Sequence, residues 1–455
     1  MRAELAGWRG LRGGWRVAAR RMAARAFLLT AVWAGGNSTA LPGLAQESAA
    51  QSPATQPTSV NTDWTQWRGP DRTSMLKSDI LASQPNLENL ERRWRVEVDA
   101  SYSGPIVAGN KVFVTETKDR KFEVVRCLDR ETGKQLWESQ WEGSMKVPFF
   151  AAANGSWIRS TPTYNDGRLY ICGMKDVLVC LNAETGAELW KIDFPAQYET
   201  KLPDFGYVSS PLVDGDDLYT QAGSAVFKLD KRTGELKWRG MQGAQNMMSG
   251  GAFSSPIIAT LHGQRQIVVQ SREELAGLSL ETGDVLWRQP VPNFRGMNIL
   301  TPLVIGNKIF TSTYQGGTFL YDIKLDGGKW SVEQLWKQPT QGYMSSPVVI
   351  GNHVYLHLRN QRFTCIDLAT GKSTWISEPF GQYWSMIAAG DRILALDEQG
   401  DLLLIKANPE KFELLGKQHV SDETTWAHVG FVDRDIFVRE LKAMSVYTLT
   451  QPKPQ

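Results

Sequence analysis

A two-stranded hairpin pattern recurs along this chain of 455 residues, and it constrains the fold more than any other feature. Each copy has Ser or Thr and Pro ahead of a short apolar strand, then a turn with Gly or Asp, then a second strand. The six clearest copies are "SGPIVAGNKVFVTE", "STPTYNDGRLYICG", "SSPLVDGDDLYTQ", "SSPIIATLHGQRQIVVQ", "LTPLVIGNKIFTS" and "SSPVVIGNHVYLHL". Two weaker copies, "SMIAAGDRILALD" and "AHVGFVDRDIFVRE", follow them. Eight copies predict a repeat architecture.

A second pattern, a capped turn followed by Trp, lies between copies of the first. In "CLDRETGKQLW" and "CLNAETGAELW", Asp or Asn caps a Thr-Gly turn in which Gly takes a positive φ, and an outer strand with Trp follows. Strands alternate with turns and no helical period separates them. The sequence therefore predicts an all-β, eight-bladed β-propeller of four-stranded antiparallel blades. The copies end at Trp137, Trp190, Trp238, Trp287 and Trp375, and a degenerate one ends at Trp336.

The count of strands also predicts how the ring closes. The eighth unit ends after "AMSVYTL" without an outer strand, whereas "RRWRVEV", which contains Trp94, precedes the first hairpin with nothing in front of it. We expect this N-terminal strand to complete the last blade, which would leave no unpaired edge in the ring. The seventh blade has "KFELLGK" in place of its Trp strand.

Sequence composition predicts four segments. Residues 1–45 are typical of an export signal, with an Arg-rich start, the apolar run "AFLLTAVWAG" and small residues up to Ala45. Residues 46–62 are a polar, disordered linker, 63–90 a Trp-containing approach segment packing on the propeller, and 91–451 the propeller. We expect a periplasmic or secreted protein with no membrane span and no lipid anchor, since the first Cys is Cys127. Either the general or the twin-arginine export route fits the leader.

The motif "CLDRETGKQLW" resembles the tryptophan-docking pattern of propellers of the pyrroloquinoline quinone (PQQ) type, and the resemblance covers Trp64 to Leu449. The chain is similar to exported planctomycete-type members and to the propeller lipoprotein of the bacterial outer-membrane assembly machinery. The resemblance implies that each Trp packs on the turn of the neighbouring blade. The docking residues would be Trp94, Trp137, Trp190, Trp238, Trp287, Trp336 and Trp375.

The approach segment contains "TDWTQWRGPDRTS", with two Trp residues and a Gly-Pro turn. Burial of two indoles stabilises a fold by about 2 to 3 kcal/mol each, which argues against a disordered tail. We expect Trp64 and Trp67 to lie outside the ring, as a cap or clasp over the final blade.

A ring of residues lies three positions before each Pro position, where the innermost strands begin. We expect these ring residues either to fill the gap between converging blades or to form an aromatic-lined mouth for a peptide, sugar or quinone-like ring. The longest insertion, "EGSMKVPFFAAANGSWIRS", adds Trp157 beside them. The ring residues are Tyr102, Arg159, Val208, Phe253, Ile299, Met344, Tyr383 and Trp426. The predicted ligand-binding residues are Trp157, Arg159, Tyr102, Phe253, Tyr383 and Trp426.

Cysteine and histidine patterns predict no catalytic residue and no metal site. Three of the four Cys residues stand at the small-residue position of the Trp motif, where packing explains them. Cys172 and Cys180 lie on the two arms of one hairpin, and the sequence does not decide whether they form a cross-strand disulfide. His353 and His357 would share a strand face but stand about 13 Å apart, too far to bind one ion.

A net charge of +2 gives no reason to expect nucleic-acid binding. We expect a non-catalytic binding or scaffold module for protein or cell-envelope partners, with no cofactor. One alternative is a PQQ- and calcium-dependent alcohol or sugar dehydrogenase. The adjacent Cys pair of those enzymes is missing, since all four Cys residues are well separated. The other alternative is a polysaccharide-binding propeller, and the question whether the chain is an enzyme stays open.

Overall fold

The computed structural model describes residues 63–77, 79–243 and 250–450. The predicted export signal and linker (1–62) and the last residue of the predicted propeller lie outside the described residues. Within these ranges three short helices accompany the strands: α1 (Asp79–Ala82), a 3-10 helix (Phe149–Asn154) and α2 (Phe194–Tyr198).

The described strands form eight four-stranded antiparallel sheets, each one blade. Blade 1 comprises β2 (Ile106–Ala108), β3 (Lys111–Lys118), β4 (Phe122–Asp129) and β5 (Gln135–Glu142); blade 2, β6 (Thr163–Asn165), β7 (Arg168–Gly173), β8 (Val177–Asn182) and β9 (Glu188–Asp193); blade 3, β10 (Leu212–Asp214), β11 (Asp217–Ala222), β12 (Ala225–Asp230) and β13 (Leu236–Gly240); blade 4, β14 (Ile257–Leu261), β15 (Gln264–Gln270), β16 (Glu274–Ser279) and β17 (Val285–Pro290).

The second half of the ring has the same order. Blade 5 comprises β18 (Leu303–Ile305), β19 (Lys308–Thr313), β20 (Gly317–Asp326) and β21 (Lys329–Gln338); blade 6, β22 (Val348–Ile350), β23 (His353–His357), β24 (Arg362–Asp367) and β25 (Ser373–Pro379); blade 7, β26 (Trp384–Ala389), β27 (Arg392–Asp397), β28 (Asp401–Lys406) and β29 (Glu413–His419); blade 8, β30 (Gly430–Val432), β31 (Asp435–Arg439), β32 (Ala443–Leu449) and β1 (Leu90–Glu97).

The N-terminal strand closes the ring. Strand β1 pairs antiparallel with β32, from Leu90 opposite Leu449 to Glu97 opposite Ala443. The predicted eight-bladed propeller, closed by the strand around Trp94, is confirmed. Without β1 the sheet of blade 8 would have three strands, and β32 would be left as its unpaired outer edge.

Burial differs between the middle and outer strands of a blade. Strand β3 is buried at its six central positions, whereas the outer strand β5 is mostly exposed and buries only Trp141 fully. The middle strands contact neighbouring blades on both faces, so their apolar runs are continuous and do not alternate. The core therefore lies between blades.

Hydrogen bonds between blades explain the Ser or Thr before each Pro. The backbone N–H of Thr161 in blade 2 donates to Ser210 Oγ of blade 3 (3.0 Å), and that of Ser210 donates to Ser255 Oγ of blade 4 (2.9 Å). Each hydroxyl thus satisfies a buried N–H at the start of the preceding blade, where no sheet partner is available. Equivalent bonds join Gly104 to Thr161 and Thr301 to Ser346.

Trp side chains on the outer strands pack across blade boundaries. The Trp137 indole lies against Gly186 in the Thr-Gly turn of blade 2, and its Nε1–H donates to the carbonyl of Ala183 (3.2 Å). Gly186 has a φ of +75°, and a Cβ there would meet the indole at 2.6 Å, so this turn requires glycine. Trp190 lies on Gly234 without a hydrogen-bond partner for its Nε1–H. Trp94, Trp238, Trp336 and Trp375 donate to the carbonyls of Arg130, Leu280, Leu368 and Asn408.

Trp287 departs from the predicted docking. Its Nε1–H donates to Gln266 Oε1 (2.6 Å) on β15 of its own blade. The next blade offers no Thr-Gly turn, because its outer hairpin extends to ten residues in each of β20 and β21. The indole therefore has no glycine turn to pack on and takes a partner within blade 4.

The four cysteines are buried and free. Strand register places Cys172 opposite Leu178 and Cys180 opposite Tyr170, so the two sulfurs do not face each other across the hairpin. The disulfide left open by the sequence is not formed.

Candidate functional site

The segment before β1 fills one end of the central channel, and we call residues 63–76 the plug. Two backbone bonds join Trp64 to Val107 on β2 (2.8 and 2.9 Å). Asp63 Oδ1 accepts from the N–H of Gly109 (2.9 Å), in the turn that follows β2. The ring residues precede the inner strands and these turns follow them. The plug therefore enters at the end of the channel opposite the ring.

Contacts of the plug extend around the channel. Arg68 Nη2 donates to the carbonyl of Pro347 (2.5 Å), and Trp67 Nε1 donates to Thr301 Oγ1 (3.0 Å). The prediction that Trp64 and Trp67 lie outside the ring is wrong. Carbonyls and hydroxyls of the inner strands face the channel, and the plug lies inside it and donates hydrogen bonds to them. The plug bonds to blade 1 at Val107, blade 2 at Tyr164, blade 3 at Pro211, blade 5 at Thr301, blade 6 at Pro347, blade 7 at Ala388 and blade 8 at His428.

Tight local geometry lets the plug turn within the channel. Gly69 has a φ of +83°, and a Cβ there would meet the Trp64 ring at 2.8 Å. Arg68, Arg72 and Ser74 also have positive φ values, between 56° and 63°. Left-handed conformations at non-glycine residues persist only where surrounding contacts enforce them, as the buried bonds of both arginines do here.

Above the plug lies a cavity of about 380 Å³, which we call the funnel. Its floor contains Trp67 and His428, whose ring centroids are 5.0 Å apart. Ring residues form its wall: Tyr102, Arg159, Val208, Phe253, Ile299, Met344 and Trp426. Other side chains at its rim are Phe150, Phe205, Met297 and Tyr343.

Aromatic side chains continue around the mouth of the funnel in two arcs. In one arc Trp426 stacks on Tyr383 (4.3 Å between ring centroids, 11° between planes) and meets Tyr102 edge-on (4.7 Å). In the other, Phe205 lies between Phe150 (6.1 Å) and Phe253 (5.6 Å). Ring contacts of this kind hold large apolar surfaces in fixed positions.

The longest insertion supplies the most exposed part of the mouth. Its 3-10 helix begins after Pro148 and places Phe149 and Phe150 with 91% and 59% of their surface exposed. The hydroxyl of Tyr102 donates to the carbonyl of Asn154 (2.6 Å) and holds the helix to the ring. Exposed large apolar side chains beside a cavity are typical of a binding surface.

A second cavity, a groove of about 860 Å³, lies beside the funnel. The structure distributes the six predicted ligand-binding residues between the two cavities. Arg159 and Phe253 line the funnel, Trp157 and Tyr383 line the groove, and Tyr102 and Trp426 stand between them and line both.

Electrostatics of the funnel are set by burial. Desolvation lowers the pKa of His428 to about 3, so its ring is neutral, and its Nδ1 lies 2.9 Å from the carbonyl of Val429. Burial also lowers the pKa of Arg68 and Arg72 to about 9 and that of Arg159 to about 10. All three guanidiniums remain charged at neutral pH.

The described residues contain neither a metal-binding cluster nor a membrane-spanning helix. Across residues 63–77, 79–243 and 250–450, no three or more His, Cys, Asp or Glu side chains are grouped so as to hold a metal ion. Within the same ranges, no helix is both long and apolar enough to cross a bilayer.

Residues 120–377, more than half of the chain, match the family described as outer membrane protein assembly factor BamB. The chain belongs to the BamB family. It is 21% identical over 281 residues to the outer membrane protein assembly factor BamB of Moranella endobia (strain PCIT), a match that covers 60% of this chain and 66% of that protein. The chain therefore spans just under two thirds of that relative's length.

Solved structures support the fold of this BamB-family chain. BamB from Moraxella catarrhalis superimposes with a TM-score of 0.57 at 12% identity, covering 80% of this chain and 99% of that one. The quinohemoprotein alcohol dehydrogenase from Comamonas testosteroni gives 0.60 at 14% identity, covering 87% and 82%. The predicted resemblance to PQQ-type propellers is confirmed, and at these identities the likeness concerns the fold.

Several funnel residues of this BamB-family chain were not predicted from the sequence. In the sequence Trp67 lies in the approach segment and His428 in the copy "AHVGFVDRDIFVRE", and only the folded plug brings them together. Phe205, Met297 and Tyr343 lie four to six residues before a Pro position, in the loops that carry the ring residues. That position was a usable signal, because every one of these loops enters the ring at the same end.

Proposed function

We propose that this chain is a non-catalytic binding propeller of the cell envelope and that the mouth of the funnel binds a protein partner. The observation that carries the proposal is the pair of exposed phenylalanines, Phe149 and Phe150, on a short helix held beside an aromatic cavity. Apolar anchors around a pocket are the usual centre of a protein interface. The family is described as outer membrane protein assembly factor BamB, and this description supports a location in the cell envelope.

The plug leaves one end of the channel open to a partner. Asp63 bonds to the turn after β2, at the end of the channel opposite the ring residues, and the plug closes that end. This arrangement leaves the mouth accessible to a partner.

The residues of the funnel do not fit PQQ with a calcium ion. Calcium takes six to eight oxygen ligands, with carboxylates prominent among them. The described lining contains neither Asp nor Glu, and the indole of Trp67 forms its floor. We therefore propose a cofactor-free protein and derive no oxidation step through a quinone.

The stacking of Trp426 on Tyr383 favours a protein partner over a polysaccharide. Sugar rings bind on open aromatic faces, and here one face of each ring is taken by the other at 4.3 Å. The exposed Phe149 and Phe150 are also purely apolar and supply no hydrogen bond to a hydroxyl.

Capture of envelope proteins tests the proposal. The double variant Phe149→Ala, Phe150→Ala should lose proteins that the wild type retains from a cell-envelope extract of the native host. The matched control is Leu136→Ala, Leu189→Ala, which removes two exposed leucines (46% and 44%) from outer strands. Equal capture by all three proteins would contradict a partner site at the mouth.

A further inference from the structure

Three arginines at the funnel and the plug have no acidic partner. Arg68, Arg72 and Arg159 take part in none of the ion pairs among the described residues. Arg68 and Arg72 are 1% and 4% exposed. Arg159 is half-buried. Buried charges are ordinarily paired, so arginines at these positions without an acidic partner are unusual.

Backbone carbonyls take the place of acidic partners. Arg72 donates to the carbonyls of Ser210 (3.1 Å) and Pro211 (2.9 Å) just below the floor of the funnel. Arg159 donates through Nε to the carbonyl of Trp157 (3.2 Å) and through Nη2 to that of Gly155 (3.2 Å). These bonds fix both guanidiniums but leave their charges uncompensated.

Arg159 is the one of the three that lines the funnel. It faces a wall of aromatic and apolar side chains, among which the described lining holds no carboxylate. An ionic attraction is strong in such a weakly polar cavity, because water screens it little. A ligand with an anionic group would supply the missing charge, and its apolar part would meet Phe253 and Trp426.

We propose that the funnel binds an apolar group that ends in a carboxylate, with the carboxylate at Arg159 and the apolar body between Phe253 and Trp426. The inference rests on the proposed function of the funnel as a binding site. The volume of about 380 Å³ suits one aromatic or aliphatic group of this kind. Such a group is supplied either by a small organic acid or by the C-terminal residue of a polypeptide.

Calorimetric titration of the full chain tests the ligand class. One arm uses 3-phenylpropionate and its neutral amide, and the other a glycine-rich pentapeptide ending in phenylalanine, with a free or an amidated C-terminus. We expect at least one of the two acids to bind, and amidation to weaken its binding at least tenfold, since a charge-assisted hydrogen bond is lost. Binding in the first arm alone identifies a small acid as the source, and binding in the second identifies a polypeptide end.

Variants separate the role of Arg159 from the general charge of the mouth. Arg159→Gln should lose the preference for the acid over the amide, and Arg159→Lys should restore it in part. Arg295, an exposed cation of the rim outside the funnel lining, provides the control, because Arg295→Gln should keep the preference. Val208→Phe should block both acid and amide, because it fills part of the funnel.

Equal affinity for acid and amide, or no binding of either acid, would overturn the proposed ligand class. If either result is obtained while partner capture still depends on Phe149 and Phe150, the ligand class is wrong and the proposed function stands. Loss of that dependence as well would remove the binding site itself.

Discussion

Single side chains join one blade to the next, and Glu123 is a case in which the charge of the side chain matters. Fully buried on β4, it accepts from the backbone N–H of Met174 in blade 2 (2.6 Å) and from Trp141 Nε1 (2.9 Å). Desolvation raises its pKa to about 7 despite these bonds. The folded protein therefore holds a proton on this carboxyl that the unfolded chain releases near pH 4.5.

This shift makes stability depend on pH. A raised carboxyl pKa contributes stability that is fully present below the unfolded value and is lost as pH rises through about 7. The free energy of unfolding of the wild type should fall between pH 5 and pH 8. In Glu123→Gln this fall should be about 2 kcal/mol smaller, because glutamine does not ionise. Urea denaturation of both proteins at each pH measures it. Other buried titratable groups are common to both proteins, and an unchanged slope would contradict the assignment.

The hydroxyl before each Pro position has an energetic role of its own. Ser210→Ala leaves the buried N–H of Thr161 without its acceptor, and the free energy of unfolding should fall by about 1 to 3 kcal/mol. The matched change Ser331→Ala, on the exposed strand β21, should alter it by less than about 0.5 kcal/mol. Equal effects in denaturant titrations would show that the bond between blades contributes nothing.

At the scale of elements, the outer strands determine how firmly neighbouring blades are joined. Five of the seven indoles cover a glycine turn of the next blade, and four of these five also donate a hydrogen bond to a carbonyl there: Trp94, Trp137, Trp238 and Trp336. Trp94 does so at the seam between blades 8 and 1 (2.8 Å), whereas the buried Nε1–H of Trp190 has no partner among the described residues. Seams built on the same motif should therefore differ in strength.

Phenylalanine substitutions compare these two seams directly. Trp94→Phe loses ring area and a hydrogen bond, whereas Trp190→Phe loses similar area and removes an unsatisfied donor. The first should reduce the free energy of unfolding by about 1 kcal/mol more than the second. Thermal and urea denaturation give the difference, and a larger loss for Trp190→Phe would contradict it.

Local motifs made the blades predictable, because a Thr-Gly turn and its Trp lie within eleven residues of each other in the chain. Strand counting then predicted closure at Trp94, and symmetry placed the ring residues where the inner strands begin. Trp287 could not be predicted, since its partner depends on the length of the hairpin in the next blade. The plug was also beyond reach, because Arg68 bonds to a carbonyl 279 residues away.

At the scale of the whole molecule, the plug converts a channel into a funnel with one open end. It joins inner strands of seven blades, so its removal should weaken the whole ring and not one blade. Trp64 is 2% exposed and packs on Gly69, and it belongs to the core shared by blades 7, 8 and 1.

Truncation of this indole tests the structural role of the plug. Trp64→Ala should lower the free energy of unfolding by about 3 to 5 kcal/mol, the usual cost of emptying a large buried site. Phe149→Ala, at a position 91% exposed, should leave stability within about 0.5 kcal/mol of the wild type. A small effect of Trp64→Ala on urea denaturation would mean that the plug is dispensable for the ring.

Site-specific photo-crosslinking in intact cells tests the central claim, a partner site at the open end of the funnel. A photoreactive phenylalanine would replace Phe150 at the mouth or, as the control, the exposed Asn352 in the turn between β22 and β23 at the plugged end. We predict a discrete crosslinked protein from position 150 and none from position 352. Crosslinks from position 352 alone would place the partner at the closed end and contradict the account.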